Sequence, residues 1–174
     1  MINRLPNNDL EIAKKIRSVF LVSYAVEAKL LNASSFPPLH RRLENYSQCS
    51  NDFFGYTIDQ ELGGIIEIKH EKSFTHIQSL VVHPKFFRKG IAKKLMAFVL
   101  NSFHNKPMVV ETGVKNIPAI KLYKKFKFIE VNQWETNHGV RKIKFVRNTN
   151  KIFFFFNFKS LLFVFHWYTN VLNI

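Results

Sequence analysis

The strongest constraint on the fold lies in residues 75–103, where an apolar strand leads through a proline turn into a basic loop and a helix. The strand is marked by the apolar run that ends at Val82, and the helix begins directly after Gly90. Its apolar residues recur at spacings of three and four: Ile91, Leu95, Phe98, Val99 and Leu100. The pattern predicts a strand–loop–helix unit with a basic loop at the N-terminus of the helix.

The loop around Gly90 offers a site for a phosphate group. The first N–H groups of a helix have no partner within the helix, and the helix dipole places partial positive charge at the same end. We therefore expect the main-chain amides between Phe87 and Ala92 to bind the diphosphate of a nucleotide-like cofactor. Mobile positive charge surrounds them, from Arg88, Lys89, Lys93 and Lys94.

An ordinary strand–turn–helix unit with a basic rim would give the same pattern, so the loop alone leaves both interpretations open. The loop is not a dinucleotide-binding fingerprint, because Gly90 is its only glycine. It also lacks the Gly-Lys-Ser/Thr ending of a P-loop.

A second segment, residues 108–131, narrows the interpretation. It predicts a short buried strand at 108–110, a turn at Gly113, and a helix that opens near Asn116 with Pro118 in its first turn. Another strand is expected to begin near Phe128.

The two segments together resemble the GNAT superfamily of N-acetyltransferases over residues 9–147. The pattern V-x-P-x-x-[QR]-x-x-G-x-[GA] is matched by Val82, Pro84, Gly90 and Ala92. The pattern N-x-x-A-x-x-x-Y-x-x-x-G-F is matched by Asn116, Ala119, Tyr123 and Phe128. Two partial motifs in this order are more specific than either one alone.

Two positions depart from the family patterns. Phe87 replaces the usual Gln or Arg, which removes a side-chain contact to phosphate but keeps the main-chain amide. Lys127 replaces a glycine at a helix C-terminus, where the left-handed conformation is favoured, and it would be strained there by roughly 1 kcal/mol.

The resemblance implies an α/β (α+β) fold: a mixed, mostly antiparallel, twisted sheet flanked by helices, with acetyl-CoA between two splayed central strands. Acetyl-CoA is the implied co-substrate. Tyr123 would protonate the departing thiolate, and the main chain near Val82 would bind the pantetheine arm and the thioester carbonyl. The implied cofactor-binding residues are Leu80, Val81, Val82, Arg88, Lys89, Gly90, Ile91, Ala92, Lys93 and Asn116.

The general base is less well defined. Glu111 is the leading prediction, because it lies at the end of a strand where some family members place a catalytic Glu. His76 and Glu67, on neighbouring predicted strands, are alternatives that could act through water. No His, Asp or Glu cluster has metal-ligand spacing, so we expect no metal.

The remaining elements fit the same architecture. Residues 9–31 predict a helix capped by Asp9, and a shorter helix is expected at 39–46 after a pair of prolines. Residues 53–58 and 62–70 predict a hairpin, and the last strand is expected at 140–146.

The chain of 174 residues carries a formal charge of +14 and one cysteine, Cys49. Such a charge attracts polyanions, so nucleic acid is a possible partner, although no zinc-finger or RNA-binding signature is present. A single cysteine excludes an internal disulfide. No secretory signal is evident, so a cytoplasmic location is the default expectation.

Composition divides the chain into a catalytic domain at 1–147 and an apolar, Phe-rich tail at 148–174. Three interpretations of the tail stay open: a membrane-associating segment, an element packed on the domain, or an accidental extension. We favour the last two, because Lys159 would lie near the middle of a membrane span.

The function predicted from the sequence is transfer of the acetyl group of acetyl-CoA to a primary amine of a small molecule or peptide by direct attack. The protein would act as a monomer or homodimer. Two alternatives stay open: a coenzyme A-binding module with weak catalysis, and a basic nucleic-acid-binding protein.

Overall fold

The computed structural model describes residues 1–149, which fold around one mixed sheet. The strands of this sheet are β1 (Ile2–Leu5), β2 (Asp52–Ile58), β3 (Glu61–His70), β4 (Thr75–Val82), β5 (Met108–Gly113), β6 (Ile129–Glu135) and β7 (Arg141–Arg147). The α-helices are α1 (Leu10–Leu31), α2 (Glu44–Ser47), α3 (Ile91–Ser102) and α4 (Ile117–Lys125).

The strand order across the sheet is β1-β2-β3-β4-β5-β7-β6. The central pair, β4 and β5, is parallel, and the other neighbours are antiparallel. This confirms the predicted mixed, mostly antiparallel sheet. The parallel pair requires a crossover connection, which α3 supplies.

One face of the sheet is covered by α1. Asp9 caps this helix as predicted, since its Oδ1 accepts from the amides of Glu11 and Ile12 at 2.8 and 3.1 Å. The helix packs through Ile16 and Phe20, both fully buried. A second core, on the opposite face, lies beneath α3 and α4. The sheet is therefore enclosed between two helical layers, which is why consecutive residues such as Ile65 and Ile66 of β3 are both buried.

Gly113 fixes how closely α1 approaches the sheet. A Cβ atom at this position would lie 2.4 Å from the Leu31 side chain. Gly113, which was predicted to form a turn, is instead the last residue of β5 and pairs with Lys142 of β7. The glycine is used here for close packing between the end of α1 and the end of β5.

Two local predictions were wrong. The expected helix at 39–46 is replaced by a 3₁₀ turn at Pro37–His40 and the single-turn helix α2. Strand β1 was not predicted, because its four residues include the polar Asn3 and Arg4 and gain their partners only from β2. Both errors concern segments too short to show a hydrophobic period.

The strain predicted at Lys127 is confirmed, since its φ angle is 65°. No helix within residues 1–149 combines the length and apolarity that a membrane span requires. The same residues hold no group of three metal-ligating side chains. The interpretations of the Phe-rich tail concern residues that lie, from 150 onward, outside the described part of the chain.

Candidate functional site

The two central strands separate after three paired positions. β4 and β5 are in register only from Thr75 opposite Met108 to Ile77 opposite Val110. Beyond these pairs the end of β4 leaves β5, and the end of β5 continues beside β7. The gap between them exposes main-chain groups of β4 that have no strand partner.

The alternation of the antiparallel ladder decides which of these groups face the gap. His83 N donates to Gly63 O at 2.9 Å, so the peptide groups of Val81 turn to β3 and those of Leu80 and Val82 turn to the gap. The Val82 carbonyl already accepts from Ser23 Oγ of α1 at 2.8 Å. The Val82 amide and the N–H and C=O groups of Leu80 are therefore the main-chain groups that face the gap without a partner.

The loop after β4 presents its amides to the same gap. It forms a 3₁₀ turn at Pro84–Phe86, and the first α3 amide that donates to the main chain is that of Lys94, to Gly90 O at 3.1 Å. Within the described part of the chain, the amides of residues 88–93 have no protein acceptor. The loop therefore presents free amides at the position where the sequence predicts an anion site.

Two details of the predicted loop were wrong. The Phe87 amide donates to Pro84 O at 3.1 Å, so it is not available to a phosphate. Lys94 Nζ donates to the Tyr56 hydroxyl at 2.8 Å, which directs it to β2 and away from the loop. The cations that remain at the loop are Arg88, Lys89 and Lys93.

The loop forms one end of a cavity of about 560 Å³, the cofactor cavity. Its polar end holds the free amides and cations, and its remaining wall is mostly apolar. Every predicted cofactor-binding residue lines this cavity except Lys89, which lies beside it over the Phe86 ring at 5.1 Å. A ligand with a charged phosphate end and a less polar remainder matches this distribution of polar and apolar wall.

Asn116 and Tyr123 of α4 lie at the other end of the cofactor cavity. Asn116 caps α4, because its Oδ1 accepts from the Ala119 amide at 3.2 Å. The Tyr123 side chain is 4% exposed, and its hydroxyl makes no hydrogen bond within the described residues. Burial raises the pKa of Tyr123, so the hydroxyl keeps its proton at neutral pH.

A second cavity of about 320 Å³ lies on the other side of this point; we call it the acceptor cavity. The two cavities share Glu27, Leu80, Asn116, Ala119 and Tyr123. Its apolar wall includes Leu31, Phe36, Pro37, Pro38 and Val140. Two ligands that enter from opposite sides would meet next to Tyr123.

Comparison with known proteins decides the family. The profile of the acetyltransferase (GNAT) domain matches residues 27–148. The chain belongs to the GNAT acetyltransferase family. The co-substrate of this family is acetyl-CoA, and the family resemblance found in the sequence is thereby confirmed.

The chain is also similar to individual GNAT proteins. It is 33% identical over 88 residues to an N-alpha-acetyltransferase of Saccharolobus solfataricus, covering 47% of this chain and 53% of that protein. The chain spans between 41% and 53% of the length of the curated relatives it matches.

Solved GNAT structures share the fold. The ribosomal-protein-S18-alanine N-acetyltransferase of Escherichia coli has a TM-score of 0.67 at 16% identity, covering 86% of this chain and 93% of that one. PaiA N-acetyltransferase of Thermoplasma acidophilum, solved in complex with coenzyme A, has a TM-score of 0.60 at 16% identity, covering 83% and 98%.

The three predicted bases of this GNAT domain lie in different surroundings. Glu111 lines the acceptor cavity, where its Oε2 lies 3.2 Å from Lys142 Nζ. Glu67 is fully buried and lines neither cavity; Arg41 contacts both of its carboxylate oxygens, at 2.8 and 2.9 Å. His76 lies outside both cavities, and burial lowers its pKa. Of the three, the structure brings only Glu111 to the site.

Glu27 is the site residue that sequence reasoning missed. It lies on α1, and its Oε1 accepts from Asn116 Nδ2 at 2.9 Å and from Thr112 Oγ1 at 3.5 Å. The signal was present in the helical period, since Glu27 follows Phe20 and Ser23 on the buried face of α1. A carboxylate on the buried face of a helix is uncommon and indicates a polar site beneath it.

Proposed function

We propose that this GNAT domain transfers the acetyl group of acetyl-CoA to a primary amine by direct attack, with no acetylated side chain as an intermediate. The observation that carries the proposal is the meeting of two cavities beside Tyr123, one of which ends in free main-chain amides. A thioester held in the first cavity would face an amine held in the second.

The chain would hold the co-substrate mainly through its main chain. The amides of residues 88–93 and the cations Arg88, Lys89 and Lys93 would bind the diphosphate. The free peptide groups of Leu80 and Val82 would bind the pantetheine arm. An amide directed at the thioester oxygen would stabilise the developing oxyanion by roughly 3 kcal/mol.

Tyr123 is proposed as the general acid. Its raised pKa keeps the hydroxyl protonated until a thiolate departs, and the hydroxyl has no competing protein acceptor among residues 1–149. Asn116 remains a predicted cofactor contact, because it borders both cavities while it caps α4. Glu111 remains the base predicted from the sequence.

The acceptor is proposed to be a small molecule or the amino terminus of a peptide. The peptide case is supported by the names of two similar proteins, an N-alpha-acetyltransferase and a ribosomal-protein-S18-alanine N-acetyltransferase. An α-amine has a pKa near ~7.8, against ~10.4 for a lysine side chain. A larger fraction of an α-amine is therefore already neutral, and able to attack, at neutral pH.

The test is calorimetric titration with coenzyme A, followed by acetyl-CoA with a panel of small amines and peptides. We expect coenzyme A binding and release of free thiol with at least one amine. Binding without thiol release for any amine would favour a coenzyme A-binding module. Failure to bind coenzyme A, with salt-dependent binding to nucleic acid instead, would favour the basic-protein alternative.

A further inference from the structure

Glu27 lies where the two cavities join. Its side chain borders both of them, and it is held there by Asn116 at the start of α4 and by Thr112 of β5. Because these two contacts come from different elements, the carboxylate is fixed in position beside the gap between β4 and β5. It is also close enough to Tyr123 to affect the titration of that hydroxyl.

The charge of Glu27 is not matched by an ion pair. Around the acceptor cavity, Glu111 is paired with Lys142, and the buried Glu67 is paired with Arg41. Among residues 1–149, no lysine or arginine nitrogen lies within 4.0 Å of the Glu27 carboxylate. Glu27 is therefore the acid of this cavity with charge left to bind a cation.

We propose that Glu27 binds the protonated amine of the acceptor and takes the proton that the amine must lose before it attacks. This inference rests on the proposed acetyl transfer, and it assigns to Glu27 the role predicted for Glu111 from the sequence. Asn116 and Thr112 act as positioning residues, since they direct one carboxylate oxygen and leave the other to the amine.

The proton balance is consistent with this role. The ammonium group gives one proton to Glu27, which passes it to water through the acceptor cavity. The amine nitrogen then forms a bond to the acetyl carbon as the carbon–sulfur bond breaks. Tyr123 gives its proton to the thiolate, and the second proton of the nitrogen replaces it on Tyr123, so both groups return to their starting states. One proton is released per turnover.

The surroundings of Glu27 favour proton transfer. Burial raises the pKa of the Glu27 carboxyl, and the hydrogen bonds from Asn116 and Thr112, with Lys142 of β7, partly offset the effect. The other titratable groups that face it are Tyr123 of α4 and Tyr24 of its own helix. A carboxylate with a raised pKa is closer to the pKa of an amine and is a better general base.

The kinetic test compares Glu27→Gln with Glu111→Gln, using an amine that the wild type acetylates. We expect Glu27→Gln to lower kcat/KM at neutral pH by about 10²-fold or more and to shift the acid limb of the pH profile up to the pKa of the amine. Its rate should recover as the pH rises past the pKa of the amine, because the amine then loses its proton to water. A purely structural role would give no such recovery.

Glu111→Gln should retain the acid limb, and Glu11→Gln, an exposed acid on the same helix, should match the wild type. Coenzyme A affinity should be the same in all variants. A Glu27→Gln enzyme with the wild-type pH profile, or the same shift of the acid limb in Glu111→Gln instead, would overturn the proposal. Glu27→Asp provides a second variant if the glutamine variant does not fold.

Two measurements do not depend on turnover. Carbon NMR of the Glu27 carboxyl should show titration at a raised pH, and a shift when a primary amine and coenzyme A are added together. The carboxyl is more easily buried when neutral, so its contribution to stability is lost as the pH rises through its folded pKa. Glu27→Gln should therefore melt higher than the wild type at pH 8, and the difference should disappear at pH 4.

The outcomes separate the two proposals. If the wild type releases no thiol with any amine, acetyl transfer fails and the role of Glu27 as a base fails with it. The NMR titration then decides whether Glu27 binds an amine. If the wild type acetylates an amine that leaves the Glu27 resonance unshifted, only the assignment of Glu27 is wrong.

Discussion

The cofactor cavity and the acceptor cavity meet at Tyr123 and Glu27, but they are built from different kinds of groups. The polar end of the cofactor cavity consists of main-chain amides from one continuous stretch, residues 88–93. The polar wall of the acceptor cavity includes side chains from α1, the segment after it, β4, β5 and β7.

The difference explains which changes each cavity tolerates. A main-chain amide remains in place when its side chain changes, so Phe87 at a position usually held by Gln or Arg leaves the amides of 88–93 unaffected. A side-chain wall depends on the partners of each residue. Arg41 lines the acceptor cavity only because Glu67 holds its guanidinium, which also stacks on Tyr46 at 4.0 Å.

The largest effect is expected at Tyr123, where the two cavities meet. Tyr123→Phe removes the proposed proton donor and keeps the ring that packs on Phe128 and Phe145. We expect kcat to fall by about 10²-fold or more, with coenzyme A affinity and melting temperature unchanged. Steady-state kinetics and calorimetry on the same preparation would check this. An unchanged kcat would show that the thiolate takes its proton from another group, such as water.

The second largest effect is expected when the buried ion pair between Glu67 and Arg41, beside the acceptor cavity, is broken. Glu67→Gln leaves the Arg41 guanidinium without its counter-charge, at a cost of about 3 kcal/mol of unfolding free energy. The melting temperature should fall by roughly 6–12 °C in a domain of this size. KM for the amine should rise while KM for acetyl-CoA stays the same, because the 88–93 loop shares no contact with this ion pair.

The control is Glu135→Gln, which removes an exposed acid that lies 3.5 Å from Arg141. An exposed pair of this kind contributes about 0–1 kcal/mol, so its melting temperature should change little. An equal fall in melting temperature in the two variants would show that the Arg41–Glu67 pair contributes no more to stability than an exposed ion pair. A rise in KM for acetyl-CoA in Glu67→Gln would show that the two cavities are not independent.

The difference between a main-chain site and a side-chain site also determines how much of each cavity could be predicted from the sequence. The cofactor cavity follows from neighbours in sequence, so the strand ending at Val82, the loop at Gly90 and the helix at Asn116 could be placed from local patterns. The acceptor cavity brings Glu27 next to residues about 85–89 positions away, such as Thr112 and Asn116. That contact depends on the angle at which α1 crosses the sheet, and no local pattern determines it.

Local sequence patterns also could not predict the hydrogen-bond partners of individual groups. Nothing in the sequence indicates that the Phe87 amide would turn to Pro84, or that Lys94 would reach Tyr56 of a different strand. Short β1 was missed because a strand of four residues acquires its identity from its partner. The long elements with a clear period were found, because burial on one face fixes both their type and their orientation.

The smallest effect concerns two of the non-glycine residues that adopt the left-handed conformation, one in the cofactor loop and one at the end of α4. Arg88 in the cofactor loop has a φ of 63°, and Lys127 at the end of α4 has a φ of 65°. Replacing either with glycine should relieve strain and stabilise the fold by roughly 1 kcal/mol. Denaturant unfolding would measure both changes.

The two glycine variants should differ in their affinity for coenzyme A. Arg88→Gly removes a cation beside the free amides, so the dissociation constant should rise by about threefold to tenfold, whereas Lys127→Gly should leave it unchanged. The loss should shrink at high salt, because an exposed charge is screened. If Arg88→Gly bound coenzyme A as tightly as Lys127→Gly, the amides of 88–93 with Lys89 and Lys93 would account for the phosphate site without Arg88. The left-handed conformation of Arg88 would then make no contribution to coenzyme A binding, as is expected for Lys127.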